Sequence, residues 1–349
     1  HTDRRQRQMC IRDRNGRMKN YILALTIFLS SCSFEQANDD EIVIYTSRQP
    51  QLIENLLDVF TEETGIQVTV LSGDAQQLME RIAVEGVDTD ADIFMTVDAG
   101  VLWQAADKGI FDPVESEVLS SRIPQHLRDI DNQWFGFSKR ARTIVYSKTD
   151  IDPQDLSSYE ALATRGFKGK LCLRTSKKVY NRSLIASMIE ANGSKRTERV
   201  VKGWVNNLAE PVFSSDTNVL KAVEAGNCSL TIVNTYYLAR LIESNSVENL
   251  GIFWANQEDR GVHVNISGAG LVKWSNNKGS SIKLLEWLSS DTAQEMYAKA
   301  NKEYPTVDGI PLHPVIEAWG DFKEDLIQVD KLGSMQSDAV FIAQTAGYN

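Results

Sequence analysis

The chain has 349 residues, 42% of them hydrophobic, and a formal net charge of −10 at pH 7. This length exceeds what one small core needs and predicts two lobes of ordinary domain size. The acidic balance argues against a nucleic-acid partner, because binding to a phosphate backbone depends on concentrated positive charge.

The N-terminal region divides into three segments of different composition. Residues 1–17 are rich in Arg, Gln and Asp and have no apolar period, so we expect them to lie upstream of the natural start at Met18. Residues 18–32 carry a short apolar run and small residues directly before Cys32, which is typical of a bacterial lipoprotein signal. We expect a lipid anchor on Cys32 and a polar tether over residues 33–41. An ordinary secretory signal with an incidental cysteine is the alternative.

Strand and helix periods alternate at the start of the mature chain. An apolar strand at residues 42–45 precedes a helix over 51–64 that ends at Gly65, and an alternating strand follows over 66–70. This order predicts a βαβ unit with parallel strands. The same alternation continues with a helix near residues 75–84, a strand at 93–97 and a helix over 99–109.

The second half of the chain repeats the α/β pattern. A strand-like stretch at 137–146 leads into a turn-rich segment, 149–154, where we expect the chain to cross into a second lobe. The predicted elements that follow are strands at 170–173, 229–233 and 261–270, and helices at 183–191, 219–225, 282–288 and 292–300.

These elements predict an α/β fold of two lobes joined by a hinge with at least two chain crossings. Residues 42–138 and 263–305 would form the N-terminal lobe. Residues 139–262 and 306–349 would form the C-terminal lobe.

Two cysteines remain in the mature chain, Cys172 and Cys228. In an exported protein such a pair favours a disulfide, and two buried free thiols are the alternative. Tyr180 follows Cys172 by eight residues, and Tyr236, the first of an adjacent pair with Tyr237, follows Cys228 by eight. If the disulfide held the two strands in register, all three tyrosines would reach the same carboxyl edge of the sheet.

The adjacent pair of tyrosines needs a local explanation, because consecutive residues of a strand point to opposite faces. Asn234 and Thr235 favour a helix start, and residues 238–243 have helical character. We therefore expect both phenols in the first turn of a helix, whose free amides and positive dipole end favour anionic oxygen.

Three phenols in one place indicate a site for a hard trivalent cation. A phenol has a pKa near 10 and binds a metal only when a strong Lewis acid such as Fe³⁺ displaces its proton. Three phenolates would balance the ferric charge, and the histidines form no cluster with ligand spacing. The alternative is that Tyr180, Tyr236 and Tyr237 are half-buried packing residues.

Several segments together resemble the bacterial periplasmic ferric-iron-binding proteins, and the resemblance covers nearly the whole mature chain. They are residues 45–49, 91–100, 134–136, 139–142, 179–181, 234–238 and 263–268. The resemblance implies a type II periplasmic-binding-protein fold that closes on Fe³⁺. It also implies a periplasmic, monomeric solute-binding protein without enzymatic activity, which delivers iron to the permease of an ABC importer and contacts the membrane only through its lipid.

The resemblance also suggests site residues. Tyr180, Tyr236 and Tyr237 match the family's ligand tyrosines, whereas the His-Tyr that many members carry is replaced by Gln49 and Pro50 in this chain. The site therefore resembles the subgroup with three tyrosines, in which carbonate, a similar small anion, or water completes the coordination. Donors for such an anion would be Gln49, Arg140 and Arg142, because guanidinium groups match carboxylate-like oxygens.

Two other functions are compatible with the sequence. A receptor for thiamine, a polyamine or a sugar could use the same tyrosines as stacking surfaces. A lipoprotein hydrolase is less favoured, because the chain contains neither a Gly-x-Ser-x-Gly elbow nor a His-Glu-x-x-His helix.

Overall fold

A computed structural model describes residues 41–349. The segment 1–17, the predicted signal peptide with Cys32, and the tether up to residue 40 lie outside the described residues. The strands are β1 (Glu41–Thr46), β2 (Gln67–Ser72), β3 (Ile93–Thr96), β4 (Phe111–Asp112), β5 (Phe135–Ser147), β6 (Leu171–Cys172), β7 (Leu230–Asn234), β8 (Leu250–Phe253), β9 (Val264–Val272) and β10 (Tyr304–Pro305).

Helices surround these strands on both faces. They are α1 (Glu54–Thr64), α2 (Ala75–Glu85), α3 (Ala99–Asp107), α4 (Glu117–Arg122), α5 (Val179–Asn192), α6 (Ser194–Asn206), α7 (Asp216–Glu224), α8 (Thr235–Glu243), α9 (Lys278–Leu288), α10 (Asp291–Asn301), α11 (Pro314–Glu317), α12 (Asp330–Ser334) and α13 (Gln336–Ala346). Within residues 41–349 no helix combines the length and the apolar character that crossing a membrane requires.

The strands follow the order β2-β1-β3-β9-β5-β7-β6. Strand β1 pairs in parallel with β2 and β3, which confirms the predicted βαβ unit. Helix α1 ends as predicted at Gly65, which adopts φ +76° and donates its N–H to Thr61. The return strand β9 runs antiparallel to β3 and β5, and it closes the first lobe.

A single long strand connects the two lobes. Residues 135–141 of β5 pair with β9, whereas residues from Arg142 onward pair with β7 and β8. The chain therefore passes from one sheet to the other inside β5, between Ala141 and Arg142 and before the turn-rich segment 149–154. A continuous strand can serve both sheets because its two ends bond to different neighbours, so no loop is needed at the crossing.

Each lobe has its own apolar core. In the first, Phe60, Trp134 and Leu284 are fully buried between the sheet and its helices. In the second, Trp204 and Leu230 belong to the core beneath α5 and α6. Helix α12 packs against α3 of the first lobe as well as against α5 of the second. The lobe ranges given by the sequence remain a proposal.

Several elements of the second lobe differ from the sequence prediction. Helix α5 begins at Val179, four residues before the predicted start, and α6 and β8 were not predicted. The start of α5 carries polar and basic residues, which hide the helical period. Helix α6 buries Val200, Val201 and Trp204 at helical spacing, so its period was present in the sequence although its mean hydropathy is low.

A cluster of carboxylates near α12 gives the fold a measurable pH dependence. Burial and the neighbouring Asp129 raise the pKa of Asp330 from its ordinary value of 3.8 to about 6. Folding then favours the protonated acid. The resulting stabilisation is present below about pH 4 and is lost as the pH rises through about 6.

We expect Asp330→Asn to stabilise the protein at pH 8, because an amide has no charge to desolvate. After allowance for solvent screening, the gain in the free energy of unfolding should be about 1 kcal/mol, and it should vanish near pH 4. Urea unfolding at both pH values measures this. Asp308→Asn, at an exposed position, is the matched control. Equal stability of wild type and Asp330→Asn at pH 8 would contradict the assignment.

Candidate metal centre

Two helices carry the predicted tyrosines at their N-terminal ends. Tyr180 is the second residue of α5, and Tyr236 and Tyr237 are the second and third residues of α8. Strand β7 runs directly into α8 at Asn234, which confirms the predicted helix start. The side chain of Asn234 does not cap the helix, because its oxygen accepts a hydrogen bond from Arg142 instead.

The disulfide between Cys172 and Cys228 is present. The predicted matching register is wrong, because Cys172 pairs with Thr231 in the parallel β6–β7 ladder and Cys228 precedes the strand. The eight residues from Cys172 to Tyr180 and the eight from Cys228 to Tyr236 therefore follow different backbone paths. From Cys172 a loop leads to α5, whereas β7 continues into α8 without a loop. The tyrosines nevertheless converge, because both helices begin at the same edge of the sheet.

The three tyrosines line one cavity of about 470 Å³ together with residues of both lobes. The rings of Tyr236 and Tyr237 are tilted against each other, with centroids 4.3 Å apart. Arg140 and Arg174 lie over the Tyr180 ring, with guanidinium carbons 5.7 and 5.5 Å from its centroid. The three phenols share this cavity, and Tyr237 also packs against the apolar core that contains Val219 and Leu238.

The surroundings of Tyr180 and Tyr236 favour the protonated form of their phenols. Burial raises the pKa of Tyr180 above its ordinary value of 10.0, and the nearby guanidinium of Arg140 partly opposes this. Burial and the phenols of Tyr180 and Tyr237 raise the pKa of Tyr236 well above its ordinary value. Neighbouring phenolates repel one another, so a cation that binds all three must supply the energy to deprotonate them.

Arg142 holds the two tyrosine-bearing segments together. It is 1% exposed and donates hydrogen bonds to Asn181, next to Tyr180, at 2.6 and 3.1 Å, and to Asn234 at 3.1 Å. It also pairs with the buried Asp216 at 3.3 Å. Arg142 does not line the cavity, and its guanidinium is already bonded to protein groups. Its predicted role as an anion donor is therefore corrected: it is a positioning residue.

The other two predicted anion donors do line the cavity. Arg140 is 2% exposed, donates to the backbone oxygens of Val97 and Ile266, and has no hydrogen-bond partner for Nε among the described residues. Gln49 is exposed, and its side-chain oxygen accepts a hydrogen bond from Gln51. Gln49 reaches the cavity from the loop after β1, and Arg140 reaches it from β5.

Four further side chains of the site were not among the predicted residues. Arg48 pairs with the buried Glu303 at 2.9 Å and lines the cavity with it. Arg174 pairs with Asp216, and Arg240 lies 5.0 Å above the Tyr236 ring. Arg240 could have been found from its position one helical turn after the tyrosine pair. No motif or spacing near Glu303 in the sequence indicated that it belongs to the site.

Conventional metal-ligand clusters do not compete with this site. Among residues 41–349 no group of three or more His, Cys, Asp or Glu side chains is arranged to hold a metal ion. Phenolate oxygens, which the cavity could supply, suit a hard, highly charged cation.

The family model for bacterial extracellular solute-binding proteins matches residues 55–324. This chain belongs to that family. Iron uptake protein A1 of Synechocystis is 43% identical over 88% of this chain and 87% of its own length. Its relative in the same organism, iron uptake protein A2, is 40% identical over 89% of this chain and 91% of its own length.

Solved structures agree with the two-lobed architecture of this solute-binding protein. FutA of Trichodesmium, solved in complex with iron and citrate, is 44% identical and superimposes with a TM-score of 0.85 over 88% of this chain and 100% of its own. The ferric binding protein of Campylobacter jejuni is 35% identical, with a TM-score of 0.83 over 88% of this chain and 100% of its own. These matches confirm the predicted family and fold class.

We expect Arg142→Met to destabilise the protein by about 3 kcal/mol, because Asp216 would lose one of its two cationic partners inside a buried network. Two asparagine side chains would lose their donor as well. Urea unfolding measures the loss, and near-ultraviolet circular dichroism reports the tyrosine environment. Arg199→Met, on the exposed face of α6, is the control and should change neither. An unfolding free energy equal to that of the wild type would contradict the positioning role.

Proposed function

We propose that this protein binds Fe³⁺ through the phenolate oxygens of Tyr180, Tyr236 and Tyr237 and delivers it to the permease of an ABC importer. The observation that carries the proposal is the meeting of three phenols in one cavity between the lobes. Ferric iron is acidic enough to displace phenolic protons whose pKa values are raised, whereas softer divalent ions would require His or Cys ligands. The names of the relatives, iron uptake and ferric binding proteins, support the same metal.

A small anion would complete the coordination from the other side of the cavity. Carbonate or a similar oxyanion fits this role, with Arg140 and Gln49 as its donors. The buried Nε of Arg140 has no acceptor among the described residues, which supports a charged ligand at that point. The change from His-Tyr to Gln49 and Pro50 removes protein ligands from the first lobe and leaves positions for such an anion.

Iron would bind first to the tyrosines of the second lobe and then draw the first lobe towards it. Bending within β5 would allow the lobes to close, and the closed form would be the state that the permease recognises. We further propose that the protein is a periplasmic monomer that a lipidated Cys32 holds at the membrane.

The receptor alternatives are less well supported by the charge of the cavity. Its lining includes seven Lys or Arg side chains, namely Arg48, Arg140, Arg174, Lys177, Lys178, Arg182 and Arg240, against the acidic Asp74, Asp98 and Glu303. Such a lining repels cationic solutes, so thiamine and polyamines are disfavoured.

Addition of a ferric salt to metal-free protein should give a coloured species with a phenolate-to-iron charge-transfer band. The Tyr236→Phe/Tyr237→Phe double variant should lose the band, because phenylalanine removes the donor oxygen and leaves the ring. Absorption spectroscopy with a ferric titration measures this. Tyr146→Phe, a half-buried tyrosine that does not line the cavity, is the matched control. A colourless wild-type mixture would refute the proposal.

Iron affinity should rise with pH, because every phenol that binds Fe³⁺ releases a proton. The slope of log K against pH gives the number of protons released, and it should be lower in Tyr180→Phe than in the wild type by about one. Competition with a chelator whose own protonation is known measures the slope between pH 6 and 8. Equal slopes in the two proteins would show that Tyr180 does not bind as a phenolate.

A further inference from the structure

Asp98 is a buried carboxylate at the boundary between the two lobes. It directly precedes α3, has no exposed surface and lies in the wall of the tyrosine cavity. Helix α3 packs into the core of the first lobe through Leu102, whereas α5 and α13 pack into the core of the second lobe through Leu184 and Ile342. Asp98 is therefore placed where elements of both lobes can reach it.

The two oxygens of this carboxylate accept four hydrogen bonds. Oδ1 accepts from the backbone N–H of Val101 at 3.2 Å and from the side-chain amide of Gln336 at 3.1 Å. Oδ2 accepts from the hydroxyl of Ser183 at 2.7 Å and from the side-chain amide of Asn265 at 2.7 Å. Val101 and Asn265 lie in α3 and β9 of the first lobe. Ser183 and Gln336 lie in α5 and α13 of the second lobe, so each oxygen joins one lobe to the other.

These hydrogen bonds compensate a charge that has no ion-pair partner. Among residues 41–349 no Lys, Arg or His forms an ion pair with Asp98. Burial raises the pKa of Asp98 above its ordinary value of 3.8, and the hydrogen bonds from Ser183 and Asn265 oppose this rise because they stabilise the ionised form. Loss of a donor is costly for a buried carboxylate. Separation of the lobes would remove two of the four donors.

A glycine permits the approach of Gln336 to the carboxylate. Gly100 is the second residue of α3, and a Cβ atom there would overlap Nε2 of Gln336 and lie 2.8 Å from Oδ1 of Asp98. Any larger residue at this position would displace the amide of Gln336. The contact between α3 and α13 is therefore a close fit that a single methyl group would disturb.

The helix that this carboxylate holds also carries a tyrosine of the site. Ser183 follows Tyr180 by three residues in α5, which is nearly one helical turn. The bond from Asp98 to Ser183 thus fixes the start of α5 relative to the first lobe. A ligand role for Asp98 itself is less well supported, because both of its oxygens are already occupied by protein donors.

We propose that Asp98 is a positioning residue that fastens the lobes in their closed arrangement, so that a metal held by the tyrosines leaves slowly. Opening of the cavity moves α5 and α13 away from α3, and this movement breaks the bonds from Ser183 and Gln336. The retention of iron rests on the proposed function, whereas the fastening of the lobes does not.

Iron release to an excess of chelator, followed as loss of the charge-transfer band, tests this role. Ser183→Ala should release iron about tenfold faster than the wild type, because it removes a charge-assisted hydrogen bond between the lobes. The band should keep its position, since all three phenolates remain. Ser187→Ala is the matched control, because this fully buried hydroxyl lies one turn further along α5 and donates to Leu184 in the same helix. It should release iron at the wild-type rate.

A second variant acts on the other oxygen and removes no polar group. Gly100→Ala should displace Gln336 and also accelerate release by about tenfold. It should not weaken α3, because alanine is a better helix former than glycine. Gly279→Ala is the control, since Gly279 is likewise the second residue of its helix, α9, and a Cβ atom there would meet nothing within 4 Å.

The outcomes separate this proposal from the iron assignment. If the wild type shows the band and Ser183→Ala releases iron no faster than the wild type or than Ser187→Ala, the role of Asp98 is overturned and the iron site stands. If the wild type gives no band, the proposed function is overturned. Small-angle X-ray scattering of metal-free protein then decides the fastening. The Gly100→Ala/Ser183→Ala double variant should have a larger radius of gyration than the wild type, and an equal radius would overturn the fastening as well.

Discussion

The arrangement of the cavity depends on one buried guanidinium. Arg142 lies in β5 at the point where this strand changes from the first sheet to the second. From there it bonds to Asn181 and Asn234, which are neighbours in sequence of the three tyrosines. The starts of two helices from separate chain segments are thus held by hydrogen bonds to the same guanidinium group, and Asp216 balances its charge. Because an arginine donates in several directions at once, a single side chain can fix both helix starts.

The charge state of the tyrosine phenols depends on their burial and on the arginines beside them. The phenols of Tyr180 and Tyr236 are buried and favour their protonated form, so they do not attract weak cations. Nearby arginines lower this barrier, because they stabilise the phenolate once a strong Lewis acid has formed it. The same arginines repel bare cations.

Strand β5 runs through both lobes and carries residues of the site in each half. Its first half carries Arg140, which faces the cavity, and its next residues carry Arg142, which anchors the tyrosine helices. Residues 302–305 run beside this strand, and Glu303 from that segment meets Arg48 from the end of β1. A bend in β5 would therefore change the distance between Arg140 and the tyrosine phenols without unfolding either core.

The sequence alone determined the alternation of strands and helices, the helix start before Tyr236, the pairing of two cysteines and the family resemblance. The strand–helix alternation and the helix start depend on neighbours within a few residues. The cysteine pairing follows from the expectation of an exported protein, and the family resemblance follows from the order of short motifs. The register of β6 and β7 and the role of Arg142 were decided by tertiary structure. Each depends on hydrogen bonds between segments far apart in the chain, and local spacing does not encode which distant partner a buried charge will find.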